Sequence, residues 1–136
     1  MISPKMFGEF FLPYMAEVCA RFGLVYYGCC EPVHDRWDLI RNAIPNLRSV
    51  SVSPWCDQND IAQKLGRDYV YSRKPKAWPI SGNAPDWDLL RQDMQSTLDA
   101  ARDCNLEFIY RDVYRIGDRE RLGRWASMVK AAIGAM

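Results

Sequence analysis

The stretch Leu47-Arg-Ser-Val-Ser-Val-Ser-Pro-Trp55 decides the fold class of this chain. Up to residue 52 its side chains alternate strictly, with leucine and two serines on one face and arginine and two valines on the other. A side-chain period of two indicates a β-strand. The Ser53-Pro54 step then begins a loop. We therefore predict a strand at residues 47–52, followed by an exit loop that carries Trp55.

Helical patterns lie on both sides of this strand. Before it, Trp37, Ile40 and Ile44 recur at three- and four-residue spacing, and after it Asp57 can cap a short helix that Gly66 ends. The same alternation covers the whole chain, beginning with a helix from Ser3 to Gly23 that Pro13 should kink. The predicted strands are Leu24–Tyr27, Leu47–Val52, Tyr69–Ser72 and Leu106–Tyr110. Strands that alternate with helices predict an α/β fold with a parallel sheet.

Four β/α units fit two architectures. One is a small doubly wound sheet with helices on both faces, and the other is an arc of a (β/α)₈ barrel, which needs about 250 residues to close. Hydrophobic periodicity alone does not decide between them. In either case the 136 residues form a single domain, residues 1–136, with no internal linker.

Composition excludes several classes of protein. The net charge of +1 gives no broad attraction to nucleic acid, and no apolar stretch approaches the roughly 20 residues of a membrane span. The N-terminus carries no apolar signal region. The five cysteines form no even, regularly spaced disulfide framework. These features predict a cytoplasmic protein with reduced thiols and neither a nucleic-acid nor a membrane partner.

Polar side chains gather in the loops that follow the predicted strands, where parallel α/β folds bind their ligands. The cluster Arg73-Lys74-Pro75-Lys76, after the third strand, could hold a carboxylate or phosphate, with a solvated basic loop as the alternative that so short a run favours. Trp55 and Trp78 lie in exit loops, which favours them as pocket walls over the tryptophans in helical stripes. The loops thus predict a site for an anionic small molecule.

The segment Cys29-Cys30-Glu31-x-x-His34 offers thiolate, carboxylate and imidazole groups, all of which bind zinc. Two small buried thiols, a Glu-Pro turn and a surface histidine account for the same residues. The sequence leaves both readings open.

Several segments together resemble the uroporphyrinogen decarboxylase-like superfamily. They are Ser3–Phe7, Phe11–Tyr14, Tyr27–His34, Leu47–Trp55, Tyr69–Pro75, Arg111–Val113 and Asp118–Trp125. The resemblance implies a (β/α)₈ barrel of which this chain is the C-terminal half. It also implies decarboxylation without a cofactor, or zinc-dependent methyl transfer involving a corrinoid carried by a partner. Cys29 falls at the family's zinc-binding cysteine, while Tyr27 replaces its histidine.

A half-barrel leaves two open sheet edges and an uncovered inner face, which we expect to carry Val, Leu and Tyr side chains. We expect a second copy, or a separate chain forming the N-terminal half, to cover that face. The predicted function is part of a methyltransferase or decarboxylase site, and the alternative is an inactive ligand-binding or assembly module. The predicted site residues are Asp112 and Glu31 as catalytic groups, Arg73, Lys74, Trp55 and Tyr114 as substrate-binding groups, and Cys29, Cys30 and His34 as metal ligands.

Overall fold

A computed structural model describes residues 2–28, 30–111 and 117–134 of the chain. Within these ranges, the predicted alternation of helix and strand is confirmed. The elements are α1 (Pro4–Phe10), α2 (Leu12–Cys19), β1 (Val25–Tyr27), α3 (Trp37–Ala43), β2 (Leu47–Val52), α4 (Gln58–Leu65), β3 (Val70–Arg73), α5 (Trp87–Ala100), β4 (Asn105–Phe108) and α6 (Glu120–Gly134). None of these described helices is long and apolar enough to cross a bilayer.

The four strands form one parallel sheet in the order β1-β2-β3-β4. A doubly wound sheet reverses its strand order at a switch point, whereas this order runs in one direction. Right-handed crossovers between successive neighbours place the connecting helices on one face of the sheet. Side-chain packing agrees, because Tyr27, Val50 and Tyr71 are aligned across the strands and share one buried cluster with Trp37 of α3 and Ile61 of α4.

The opposite face of the sheet is mainly polar, and the expectation of Val, Leu and Tyr side chains there is met only by Val70 and Tyr26. The alternation turns Val50 and Val52 toward the helices, and it leaves Ser49 and Ser51 on the other side. The remaining strand residues of this face are Tyr26, Val70, Ser72, Asn105 and Glu107. We call this set of seven side chains the open face. Its polarity means that the sheet carries no large apolar surface that must be buried.

Exposed apolar side chains concentrate instead on the N-terminal helices. The chain breaks at Phe11 into α1 and α2, two residues before Pro13, which confirms the predicted kink. Large hydrophobic residues remain exposed here, and we name them the α1–α2 stripe: Phe10, Phe11, Tyr14, Val18, Phe22 and Leu24. The stripe leads directly into β1, which is an edge strand of the sheet.

Candidate functional site

A cleft of about 290 Å³ opens at the carboxyl edge of the sheet. The loops after all four strands contribute to its walls. They supply Cys30 after β1, Trp55 after β2, Lys74 and Trp78 after β3, and Arg111 after β4. The volume lies at the lower end of small-molecule sites, which run from roughly 300 to 1,000 Å³. The cleft therefore suits a ligand of one or two rings.

Strand alternation explains why Lys74 faces this cleft and Arg73 does not. Lys74 follows Ser72 by two residues and continues the open face of β3 past the end of the strand. Arg73 shares the helix-covered face with Tyr71 and is 1% exposed. The two neighbouring cations therefore lie on opposite sides of the sheet.

Lys74 is a buried cation without a hydrogen-bond acceptor in the described part of the chain. The residue is 5% exposed, and its Nζ atom is inaccessible to solvent. The Tyr26 ring lies beneath it, 5.6 Å from Nζ to the ring centroid. At Gly28 an added Cβ would stand 3.9 Å from Nζ and 3.4 Å from the Tyr26 ring, so a side chain at this position would contact both groups. Because a buried ammonium without a partner is costly, an anionic group in the cleft would stabilise the amine once the flexible lysine side chain turns Nζ toward it.

Two further cations border the cleft and strengthen its positive potential. Lys76 and Arg111 both line it, and the Arg111 Nη2 atom donates to Cys30 Sγ at 3.6 Å. Among the described residues that line the cleft, none carries a carboxylate. A low-dielectric recess with charges of one sign attracts ligands of the opposite sign.

The loop between β3 and α5, which carries one wall of the cleft, is fastened at several points. Tyr110 Oη donates to the Lys76 carbonyl at 2.7 Å, and burial raises the pKa of this phenol, which keeps it a donor. Arg121 of α6 donates to the carbonyls of Gly82 and Asn83 at 2.5 and 2.7 Å. This wall is therefore held in place before any ligand arrives, which lowers the entropic cost of binding.

Arg73, expected to bind substrate, instead holds the interior together. Its guanidinium donates to Thr97 Oγ1 at 3.1 Å, to the Ser53 carbonyl at 2.9 Å and to Asp93 Oδ1 at 2.8 Å. The Ser53 contact fixes the start of the loop that carries Trp55. Arg73 thus stabilises the Trp55 loop from the helix-covered side of the sheet and does not line the cleft.

Glu31, expected to be catalytic, forms an ion pair outside the cleft lining. Its Oε2 atom accepts from Arg36 Nη1 at 2.8 Å, and Arg36 is only 2% exposed. The same guanidinium donates to Asp35 at 2.9 Å, and this hydrogen bond holds the pKa of the Asp35 carboxyl below its usual range. These contacts fasten the β1 exit loop to the start of α3.

The predicted metal ligands are not brought together in the part of the chain that the structure describes. His34 Nδ1 accepts from the Asp57 amide at 3.3 Å, whereas Cys30 lies at the cleft. Residues 2–28, 30–111 and 117–134 contain no group of three or more His, Cys, Asp and Glu side chains that could hold a metal ion. Cys29, Asp112 and Tyr114 lie outside the described residues.

Of the predicted binding residues, Lys74 and Trp55 line the cleft, and Cys30 joins them in place of a metal site. Lys76 belongs to the basic cluster that the sequence offered as an anion holder and Arg111 to the loop after the fourth strand, but neither was singled out as a binding residue. Both follow strands at positions that continue the open face, and this alternation is the signal that could have identified them.

Comparisons with family models, with curated proteins and with solved structures find no match.

Proposed function

We propose that the chain binds a small organic anion in this cleft and that Lys74 receives the anionic group. The single observation behind the proposal is the buried Nζ atom of Lys74, which has no acceptor among the described residues and belongs to a residue that lines a cleft with two further cations. This is the ligand-binding function that the sequence offered as an alternative to catalysis. The ion pair that occupies Glu31 supports binding over acid–base chemistry.

The expected contribution of Lys74 follows from the strength of a charged hydrogen bond. Such a bond contributes about 1.5–3 kcal/mol when its partners are well placed. Since 1.4 kcal/mol corresponds to a factor of ten, removing the ammonium should weaken anion binding about 10- to 100-fold.

Calorimetric titration tests this proposal with two pairs of ligands. Benzoate and cyclohexanecarboxylate are compared with their neutral methyl esters, in wild type, in Lys74→Met and in Lys130→Met, whose lysine is exposed on α6. We expect both acids to bind more tightly than their esters in wild type and Lys130→Met, and to lose that advantage in Lys74→Met. Acids that bind no better than esters to the wild type would refute the proposal.

We further propose that the four β/α units are half of a barrel, of the uroporphyrinogen decarboxylase-like kind that the sequence resembles. The one-directional strand order, the helices on one face and the cleft at the carboxyl edge support it. A whole tetrapyrrole or corrinoid exceeds a volume of 290 Å³, so such a ligand would extend beyond the cleft or belong to a partner. A zinc-dependent site would need Cys29 together with ligands that the described residues do not assemble.

The number of helices indicates which chain would complete such a barrel. In a closed two-fold dimer, β4 of one copy would pair with β1 of the other. On the outer surface of the barrel, there is room for only one helix over that pair of strands. This chain has α6 after β4, and it also has α2 before β1, packed beside α3. Both would compete for the same position. A separate chain with four strands and only their three connecting helices fits better than a second copy.

Light scattering tests the choice of partner. The purified chain should be a monomer at micromolar concentration, because its two end helices exclude closed pairing. A stable dimer would favour the second copy, and it would show that α2 and α6 do not compete for one position between the two copies.

A further inference from the structure

We propose that the ligand is an aromatic anion whose ring packs against the indoles of Trp55 and Trp78. The inference rests on the proposed function and adds the chemical class of the ligand's body. An acid that binds through its charge alone would need only the lysine. The cleft also has two tryptophan side chains in its lining.

The two cleft tryptophans are unusually exposed for their type. Trp55 is 68% exposed and Trp78 is 61% exposed, although indole is among the most costly apolar side chains to leave in water. Both line the cleft together with Pro54, Pro75 and Ala77, so its walls are mainly apolar around a cationic end.

The other tryptophans are paired within the fold, and the contrast is informative. Trp37 packs edge-on against Tyr69 at 4.9 Å between centroids, Trp125 packs against Tyr110 at 4.8 Å, and the Arg124 guanidinium lies 4.2 Å from the Trp87 centroid. Within the described ranges, the rings of Trp55 and Trp78 have no such ring or cation partner. The flat ring of a bound ligand would be such a partner for both indoles.

Proline restricts the backbone beside both tryptophans. Pro79 follows Trp78 and limits the conformations open to it, whereas Pro54 fixes its own φ at the position before Trp55. The loops that present the indoles therefore lose little freedom on binding, which is the arrangement expected of aromatic anchors in a ligand site.

Benzoate and cyclohexanecarboxylate have the same charge and similar size, but only benzoate is flat and aromatic. We expect benzoate to bind the wild type about two- to tenfold more tightly, which is the range of aromatic pairing beyond simple burial. That preference should disappear in a Trp55→Leu/Trp78→Leu variant and persist in Tyr14→Leu, which removes an exposed ring outside the cleft.

Three outcomes separate the two proposals. Equal affinity of the two acids in the wild type, with both still dependent on Lys74, would overturn the aromatic ligand and leave the anion site intact. A benzoate preference that survives the double tryptophan variant would also overturn it. Acids that bind no better than their esters would instead refute the anion site. Circular dichroism of each variant checks that these exposed substitutions leave the fold unchanged.

Discussion

Replacing Arg73 and Lys74 separately by methionine should change the free energy of unfolding in opposite directions. The two residues are adjacent and carry the same charge, and both are almost completely buried, at 1% and 5% exposure. They differ in their partners. Arg73 has three hydrogen bonds, including one to a carboxylate, whereas Lys74 Nζ has no acceptor among the described residues.

The expected magnitudes follow from these contacts. Breaking a buried ion pair by removing one partner costs about 3–5 kcal/mol, because Asp93, whose side chain is 19% exposed, keeps its charge without the guanidinium. Arg73→Met should therefore lower the free energy of unfolding by that amount. Lys74→Met removes a buried polar group without an acceptor and should raise stability by about 1–3 kcal/mol.

Urea unfolding followed by circular dichroism measures both changes. With a slope of about 1–3 kcal/mol per molar urea, Arg73→Met should unfold at a midpoint at least about 1 M lower than wild type, and Lys74→Met at a midpoint above that of wild type. If Arg73→Met fails to fold, Asp93→Asn tests the same pair with a milder change, since the amide oxygen can still accept one hydrogen bond.

Two results would refute this reasoning. A loss of less than about 1 kcal/mol in both Arg73→Met and Asp93→Asn would show that the guanidinium contacts do not hold the interior. A loss of 2 kcal/mol or more in the free energy of unfolding of Lys74→Met would show that the ammonium already has a partner within the protein.

Three other predictions test separate parts of the structure. Because its hydrogen bond to Arg36 lowers the pKa of Asp35 in the folded state, that bond contributes stability above the unfolded pKa of about 3.9 and loses it as the pH falls through the folded value. Asp35→Asn should thus be less stable than wild type at pH 7 and approach it below pH 4, unlike the exposed Asp38→Asn; a difference that does not change with pH would contradict this. Gly28→Ala, which places a methyl group in the space beside the cleft lysine, should weaken benzoate binding about tenfold at unchanged stability, and unchanged affinity would argue against an anion at that position. Val18→Lys, at a 58% exposed position of the α1–α2 stripe, should increase solubility and change the free energy of unfolding by no more than about 0.5 kcal/mol; a larger loss would place this residue in the core.

The fold could be predicted closely because the local signals agree with the tertiary structure. The strict alternation at residues 47–52 gave β2 with its observed bounds, and Pro13 indicated the break between α1 and α2. The order of the strands was beyond prediction from the sequence. Hydrophobic periodicity describes each element separately, whereas the order depends on which strand edges meet.

The site was predicted less well, since residue type was weighed more than side-chain direction. Arg73 and Lys74 are equivalent as basic residues in a loop, yet β3 extends to Arg73 and turns it toward α5. Likewise, Glu31 was weighed as a catalytic carboxylate, and only the fold shows that Arg36 forms an ion pair with it. Pairing across five residues of an irregular loop leaves no periodic signal in the sequence.

The crystal structure of the chain with bound benzoate tests the central claim most directly. We predict that the Lys74 side chain turns into the cleft, with the benzoate carboxylate within about 2.7–3.2 Å of Nζ and the benzoate ring between Trp55 and Trp78. Lys74 Nζ bonded to a carboxylate of the protein itself, with benzoate absent from the cleft, would contradict it.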